Sequence, residues 1–401
     1  YNFAFFDEKL QLLADSGIQI IALVHDAPYW AAEYPAGPIY PDRIDEFAQF
    51  LTDLVGRYKQ PPYNIHHWEL INEPDQIEIL DVENPWYGGY GFDGDQYADM
   101  LAQTYPAIKA VDSSATVLMG GVAHDWFEEY GDTLPFYRYF PDDVMAGGGG
   151  DFLDATNFHY FPDFYYEWER WNTNGAPTCG IVDDGLGTPY EAKGIDVIAK
   201  TRHFRNRLRV CFGVDKPIWI TEMGEHGYAG DLGSLGQQAR FVLQGYARAL
   251  AVGVENVTWF ALVTPPYEDH AQGLLYKDDW SPKPAFYAYQ TLTYELTGYQ
   301  YSDTLDVPKV EGYVFRDGSG HEKVMAWSWG DALESGSVVF APANQLQVVD
   351  REGRVTIVRD GGPGDADQIP GSVTIRLPAV PVRPDPALLR RYTAEPLIIF
   401  K

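Results

Sequence analysis

The stretch Ile65–Asp75, IHHWELINEPD, runs from apolar and aromatic residues straight into Asn72-Glu73-Pro74. A nearly continuous apolar run of this length predicts a β-strand that is buried on both faces. Pro74 has no backbone N–H and helps to end the strand. The strand therefore brings a carboxylate, Glu73, to one edge of the predicted sheet, with an amide directly before it.

Predicted strands and helices alternate around this stretch, from Phe6 to about Gly298. Six short apolar runs predict strands, and helical patterns separate them. The six runs are IQIIALV (18–24), IHHWELI (65–71), ATVLMGG (115–121), DFLDATNFHY (151–160), KPIWITE (216–222) and VENVTWFAL (254–262). Strands separated by helices predict a parallel sheet with right-handed crossovers, either doubly wound or closed into a (β/α) barrel.

Chemically useful side chains lie at or just past the ends of four different strands. They are Glu73, His159, Glu222 and Trp259. Reactive groups of a (β/α)8 barrel gather where its strands end, so this pattern favours an α/β fold of the TIM-barrel type over residues 1–299. Six strand–helix units are two short of eight. We expect the natural protein to carry the missing strands upstream of Tyr1, and eight parallel strands within these residues would contradict this.

The pattern changes after Gly298. Alternating segments such as EGYVFRDGSGHEKVMAWSWGD (311–331) are separated by Gly/Asp turns and predict antiparallel strands. Residues 300–401 are therefore expected to form a small, β-sandwich-like accessory domain. We expect Trp327 and Trp329 to pack in its core and not to bind sugar.

Composition narrows the possible partners. The net charge of −29 would repel nucleic-acid phosphates and anionic lipid, so neither nucleic acid nor a membrane surface is an expected partner. No apolar run approaches the length of a membrane span. Aromatic residues make up 15% of the chain, and such a surplus is typical of sugar-binding clefts, although cores and interfaces use aromatic residues too. The oligomeric state is not indicated.

Two cysteines, Cys179 and Cys211, are too few for a disulfide framework, and the sequence leaves open whether they pair. No His/Cys set has the spacing of a zinc site, so we expect neither a cofactor nor a metal ion. A metal-dependent hydrolase is a competing interpretation, and it would need an ion bound to His25 or His159.

The two carboxylates that end apolar strands, Glu73 and Glu222, carry the functional hypothesis. Hydrolysis of a glycosidic bond requires two carboxyl groups at a sugar-sized cleft. One protonates the leaving oxygen, and the other stabilises or attacks the anomeric carbon. The alternative is a pair of surface carboxylates at the starts of loops, which is less favoured because both residues close buried-looking strands.

The motifs WELINEPD (68–75) and WITEMG (219–224), with His25, NFHY (157–160) and VTWF (257–260) on neighbouring strands, resemble clan A of the glycoside hydrolases. Family 39 is the closest in pattern and family 5 the next. The resemblance covers roughly residues 6–298, and the trailing β domain also suits family 39.

The resemblance implies specific roles. Glu73 would be the general acid/base, Glu222 the nucleophile, and Asn72 a contact to the sugar 2-hydroxyl. Six further residues are candidates for sugar contact, namely His25, Trp30, His159, Tyr160, His226 and Trp259. The competing interpretation for the histidines is a hydrogen-bonded core position, and for the tryptophans it is packing. Clan members often carry an arginine near the second strand that contacts the nucleophile, and that region lies outside this sequence.

These features predict a retaining β-glycoside hydrolase that acts on β-xyloside-like or β-glucoside-like poly- or oligosaccharides. A non-catalytic carbohydrate-binding barrel remains an alternative, as does an endo-acting β-glucanase or mannanase of the same clan. We expect a secreted or cell-surface protein. Substrate choice should depend on three long, aromatic-rich loops at residues 76–92, 122–150 and 160–190.

Overall fold

The computed structural model describes residues 2–32, 37–77, 89–124, 136–162, 179, 195–264, 271–329, 335–367, 369–379 and 394–401. The chain divides into two compact units. The first comprises Tyr1–Tyr160, Trp171–Lys193 and Arg202–Thr221, and the second comprises Phe161–Arg170, Gly194–Thr201 and Glu222–Lys401.

The first unit is built on parallel strands that lie side by side in chain order. These strands are β1 (Ile21–Val24), β2 (His67–Leu70), β3 (Thr116–Met119), β4 (Thr156–Asn157) and β5 (Ile218–Met223). Parallel bridges from Leu118 to Ala155 and from Val122 to Phe158 join β3 to β4. The last two residues of β5 belong to the second unit, so the division falls between Thr221 and Glu222.

Helices connect these strands as the sequence pattern predicts. They are α1 (Ala4–Asp15), α2 (Ile44–Tyr58), α3 (Gly94–Val111), α4 (Phe140–Ala146) and α5 (Asp196–Phe212), with 3-10 turns at Pro41–Arg43 and Gly149–Phe152. Helix α4 lies within residues 122–150, which were expected to form a long loop. Pro141 at the first helical positions, with two aspartates in the first turn, favours a helix start there.

The second unit continues the alternation. Strand β6 (Val254–Trp259) lies next to β5 in the sheet, and the Phe260 N–H donates to the Met223 carbonyl at 2.9 Å. Helices α6 (Leu232–Ala251) and α7 (Pro284–Leu296) flank β6 in the chain. In the described part of the chain, no helix combines the length and apolarity that crossing a bilayer requires.

The C-terminal part of the second unit is antiparallel, as predicted. Its strands are β7 (Tyr299–Thr304), β8 (Val310–Asp317), β9 (Glu322–Ser328), β10 (Ser337–Phe340), β11 (Gln345–Val349), β12 (Val355–Arg359), β13 (Val373–Arg376) and β14 (Leu397–Phe400). Six of them form a sheet in the order β12-β11-β14-β9-β8-β7, and β10 pairs with β13. Side chains from both sheets share one hydrophobic core, which includes Val324, Leu346, Ile375 and Ile399. The domain boundary near residue 299 stays a prediction.

Trp327 on β9 is fully buried, in agreement with the expected core position. Its indole N–H donates to Glu311 Oε2 at 3.2 Å, and Glu311 also pairs with the buried Arg248 at 2.7 Å. Trp327→Ala should therefore lower the free energy of unfolding by about 3–5 kcal/mol, because it leaves a large cavity and removes a donor from a buried carboxylate. Chemical denaturation measures this change.

A matched control for this prediction is Tyr294→Ala, which removes an exposed aromatic side chain from α7 and should change stability by less than about 0.5 kcal/mol. The relative rates of Trp327→Ala on different glycosides should equal those of the wild type. An altered substrate preference at unchanged stability would contradict a packing role.

Cys179 and Cys211 form a disulfide with a Cα–Cα distance of 5.5 Å. Cys211 lies in the last turn of α5, and the two residues are 32 positions apart. A cross-link of this span should stabilise the fold by about 3–4 kcal/mol, mainly by restricting the unfolded chain. Urea unfolding of the wild type with and without reductant measures this difference, and the double variant Cys179→Ser/Cys211→Ser should not respond to reductant. Two titratable thiols in the untreated, denatured protein would rule the pairing out.

Candidate active site

The backbone is strained where β2 ends and Glu73 begins the loop. Ile71 has φ 67° and Glu73 has φ 41°, both in the left-handed region that β-branched and bulky residues rarely adopt. Hydrogen bonds from both neighbouring strands hold this turn, from Ile71 N to Val24 O at 2.9 Å and from Glu73 N to Gly121 O at 3.1 Å. A Cβ on Gly120 would lie only 2.0 Å from the Ile71 carbonyl oxygen, so glycine is required there.

Glu73 is paired with a buried histidine. Its Oε1 lies 3.0 Å from Nδ1 of His159, which follows β4 and is 1% exposed. Space for the imidazole depends on Gly121, because a Cβ there would lie 2.1 Å from His159 Nε2. The structure thus brings together two of the residues predicted from the sequence, and it adds a glycine pair that the sequence reasoning missed.

A buried network extends from this pair. Glu69 on β2 accepts hydrogen bonds at Oε1 from Gly121 N at 2.8 Å, Asn157 Nδ2 at 3.0 Å and Thr221 Oγ1 at 3.2 Å. Thr221 Oγ1 is also 3.3 Å from His159 Nε2. None of Glu69, Asn157 and Thr221 was predicted as a site residue. The available signal was a carboxylate, Glu69, inside an otherwise apolar strand.

His25 and Asn72 lie side by side at the ends of β1 and β2. The backbone N–H of Asn72 donates to His25 Nδ1 at 3.3 Å, so the ring proton of neutral His25 sits on Nε2, which faces Asp26 at 3.1 Å. Burial lowers the pKa of His25, against the opposing charges of Asp26 and Glu73. Among the described residues, Asn72 Oδ1 is buried and has no hydrogen-bond partner.

Asp75 secures the loop that follows Glu73. It is fully buried, and its carboxylate accepts from the backbone N–H groups of Ala123 at 3.1 Å and His124 at 2.7 Å. These bonds tie the Asn72-Glu73-Pro74 turn to the chain after β3. Asp75 was not among the predicted site residues, and it orients the turn through the backbone of its neighbours.

The second predicted carboxylate, Glu222, lies on β5 directly after Thr221 and is half-buried. Two residues on, Gly224 accommodates the neighbouring chain, since a Cβ there would lie 2.6 Å from the Phe260 carbonyl oxygen. The backbone N–H of His226 donates to Glu225 Oε1 at 2.7 Å, and the His226 ring stacks on Tyr228.

Gln238 on α6 joins the loops that follow β5 and β6. Its Nε2 lies 2.9 Å from the Glu225 carbonyl oxygen and 3.0 Å from that of Gln272. The Gly227 N–H donates to the Ala271 carbonyl at 2.9 Å, and a Cβ on Gly227 would lie 2.1 Å from Gln238 Oε1. One buried amide therefore fixes two rim loops of the second unit.

The remaining candidates differ in accessibility. Trp30 lies in the loop after β1 and is 60% exposed, which leaves its ring available to a ligand. Trp259 is 7% exposed, packs near Phe241 and donates its indole N–H to the Gln272 carbonyl at 3.0 Å. Tyr160 is buried next to His159. Contact of these side chains with sugar stays a prediction.

The three long loops expected to set substrate choice lie partly outside the described residues. The missing portions are 78–88, 125–135, 163–178 and 180–190. The described portion after β2 includes Phe92, an exposed ring 4.6 Å from that of Tyr137. The Tyr137 N–H donates to the Asp75 carbonyl at 2.7 Å, which places this aromatic pair near the turn that carries Glu73.

Several solved structures are similar to the chain at low sequence identity. A family 39 glycoside hydrolase from Bacteroides cellulosilyticus has a TM-score of 0.63 at 19% identity, with 99% of this chain and 71% of that chain covered. A glucosidase from Croceicoccus marinus has a TM-score of 0.61 at 15% identity, with 100% and 82% covered. A monomeric β-xylosidase from Caulobacter crescentus has a TM-score of 0.60 at 13% identity, with 100% and 85% covered.

These likenesses, with the described strands and helices, show an α/β fold of the TIM-barrel type and a separate antiparallel sheet. A search of curated proteins found no significant match. The family model described as cellulase (glycosyl hydrolase family 5) matches residues 2–259. The resemblance to clan A glycoside hydrolases is thereby confirmed. Because the matched residues make up more than half of the sequence, the chain belongs to glycosyl hydrolase family 5 and is a glycoside hydrolase.

Proposed function

We propose that this glycoside hydrolase cleaves β-linked poly- or oligosaccharides with retention of configuration, through a double displacement on two glutamates. The observation that carries the proposal is the placement of Glu73, which ends β2 in a strained turn and pairs with buried His159 at 3.0 Å. Strained backbone that the surrounding structure holds in place is typical of functional sites. Glu222, on β5, is the second carboxylate.

In the first step, Glu73 gives its proton to the glycosidic oxygen while the Glu222 carboxylate attacks the anomeric carbon. The bond between that carbon and the leaving oxygen breaks, and the alcohol departs. In the second step, the Glu73 carboxylate takes a proton from water, and the water oxygen displaces Glu222. Each step inverts the anomeric carbon, so the product keeps the β configuration.

Two features support a role in sugar binding. Asn72 Oδ1 is a buried acceptor without a described partner, and a sugar hydroxyl would supply the missing donor. Trp30 offers an exposed aromatic face of the kind that stacks on sugar rings. We assign polar contacts with the sugar to two histidines. Neutral His25 lies next to Asn72, and His226 follows Glu222 along the chain.

We further propose that the substrate is xyloside-like or glucoside-like. A β-xylosidase and a glucosidase are among the proteins of similar fold, which supports this choice. The disulfide between Cys179 and Cys211 fits an oxidising compartment and supports action outside the cytoplasm.

The test is a screen of aryl β-xyloside, β-glucoside, β-mannoside and β-galactoside together with xylan and β-glucan. Proton NMR of the first product should show the β anomer, and an α anomer would refute retention. A crystal structure should place the two carboxyl groups about 5–5.5 Å apart. Binding of oligosaccharide without hydrolysis of any substrate would favour the non-catalytic carbohydrate-binding barrel. Loss of activity with a strong chelator would favour metal-dependent hydrolysis.

A further inference from the structure

Trp280 is a large aromatic residue that the fold exposes at a conformational cost. Its side chain is 68% exposed, and its backbone has φ 60°, in the left-handed region that glycine adopts freely and bulky residues rarely do. Single exposed aromatic side chains are common, but an exposed one on a strained backbone gains no burial that would offset the strain. Among the described residues, no other ring contacts this indole. Packing against the described residues therefore does not explain Trp280.

A tight hairpin, residues 275–282, holds Trp280 in place. The Trp280 N–H donates to the Tyr276 carbonyl at 2.9 Å, and the Tyr276 N–H donates to the Ser281 carbonyl at 2.9 Å. Asp279 Oδ1 accepts from the Ser281 N–H at 2.9 Å and from the Ser281 hydroxyl at 2.6 Å. An aromatic side chain on a backbone fixed in this way loses little conformational freedom when it binds a ligand. The hairpin therefore presents the indole in a preorganised position.

The hairpin lies at the edge of the sheet where β5 and β6 end. The Phe260 N–H donates to the Met223 carbonyl at 2.9 Å, so the ends of the two strands lie side by side. The Leu275 N–H donates to the Leu262 carbonyl at 2.9 Å, which attaches the hairpin to the segment directly after β6. Glu222 is the second-last residue of β5. The exposed indole therefore belongs to a loop at the same edge as Glu222, where barrel enzymes bind their substrates.

Polar side chains of the hairpin suit a ligand with many hydroxyl groups. Lys277 and Asp278 are exposed, and neither makes an ion pair or a side-chain hydrogen bond with a described residue. An ammonium group donates and a carboxylate accepts, and a sugar hydroxyl can do both. The apolar face of a sugar ring can stack on an indole at the same time. The net charge of −29 disfavours an anionic polymer, so a neutral glycan fits this surface best.

We propose that Trp280 binds a sugar ring of a neutral, β-linked polysaccharide, outside the two sugar units that flank the cleaved bond. This contact retains long chains at the enzyme and favours them over short glycosides. The inference rests on the proposed action on β-linked saccharides, and it adds a binding residue that takes no part in breaking the bond. It also explains why a tryptophan occupies a position where glycine would be free of strain.

The activity test compares kcat/KM on soluble xylan or β-glucan with kcat/KM on an aryl β-glycoside. Trp280→Gly should lower the ratio of the two about 10-fold, because one stacking contact with the polymer is lost. Trp280→Tyr keeps an aromatic face and should restore most of the ratio. Tyr294→Ala is the matched control, since it removes an exposed ring from α7 and should leave the ratio unchanged. An unchanged ratio in Trp280→Gly would overturn the inference, while the wild-type activity would leave the proposed function intact.

The stability of Trp280→Gly separates a binding role from a packing role. Glycine adopts φ 60° without strain, so the midpoint of thermal unfolding should not fall. Thermal unfolding followed by circular dichroism measures this midpoint. A midpoint more than about 2 °C below that of the wild type would show that the indole packs against the protein, and it would overturn the inference.

Binding can be measured without hydrolysis in a Glu222→Ala background, which keeps the polymer intact. Native gels that contain xylan or β-glucan should retard Glu222→Ala, and the addition of Trp280→Gly should remove most of this retardation. Xylohexaose or cellohexaose should also slow the oxidation of Trp280 by N-bromosuccinimide, which peptide mass mapping locates. Retardation that is absent or equal in the two variants, or oxidation that neither sugar slows, would overturn the binding role of Trp280 even in a protein that hydrolyses no glycoside.

Discussion

Glu222→Ala should lower kcat/KM on the order of 10⁵-fold, because it removes the group that attacks the anomeric carbon. The loss should be similar for substrates with good and with poor leaving groups. Azide should then attack the bare anomeric carbon directly and give the inverted α-glycosyl azide. Stopped assays with NMR of the azide product measure both effects.

Glu73→Ala should behave differently because an activated aryl group departs with little help from an acid. Substrates with poor leaving groups should lose the most, and azide should rescue turnover with a β-glycosyl azide as the product. Glu255→Ala is the matched control, since Glu255 is an exposed glutamate on β6 and its removal should leave activity unchanged. The same leaving-group dependence and the same azide product in both active-site variants would show that the roles are wrongly assigned.

Gly121→Ala should be the most damaging single-methyl change at the site. The new Cβ would lie 2.1 Å from Nε2 and 2.5 Å from Cδ2 of His159, so the imidazole would have to leave its position beside Glu73. Displacement of about 1 Å at a catalytic group costs roughly 100-fold in rate. We also expect the free energy of unfolding to fall by about 1–3 kcal/mol from overpacking.

The control for this change is Gly56→Ala on α2. A Cβ there would meet Val111 Cγ1 at 3.6 Å, an ordinary contact, and the backbone is helical. This variant should gain about 0.5–1 kcal/mol of stability and keep full activity. If Gly121→Ala retained wild-type kcat/KM, the His159–Glu73 contact could not be important for catalysis.

The alternation of strands and helices could be predicted from the sequence because each element has its own local pattern of residues. Largely apolar segments of seven to ten residues mark β1 to β6, and glycine or proline residues mark the ends of helices. The same signal located Glu73 and Glu222, since Glu73 lies three residues past the end of β2 and Glu222 is the second-last residue of β5. Helix α4 was missed because aromatic residues and glycines surround a helix of only seven residues.

The side-chain contacts inside the site could not be predicted from such local signals. Glu69 stands out in the sequence as a carboxylate within an apolar strand, but its donors Gly121, Asn157 and Thr221 lie far apart along the chain. Pairing of Cys179 with Cys211 likewise depends on a Cα–Cα distance that local pattern does not contain. Trp259 lies at a strand end, where a sugar-binding residue is expected. Its indole N–H nevertheless donates to the Gln272 carbonyl inside the protein, a contact that the local sequence does not show.

The amide of Gln238 has a consequence for protein engineering. Loops at the rim of this fold type are common sites for altering specificity by transplanting segments between relatives. Here the segments at Glu225–Gly227 and Ala271–Gly273 share one buried hydrogen-bond donor, and they are not independent modules. Replacing one of them alone would disturb the hydrogen bond from the Gly227 N–H to the Ala271 carbonyl that joins the two segments directly. Successful grafts at this rim should therefore exchange both segments together with the helix position that joins them.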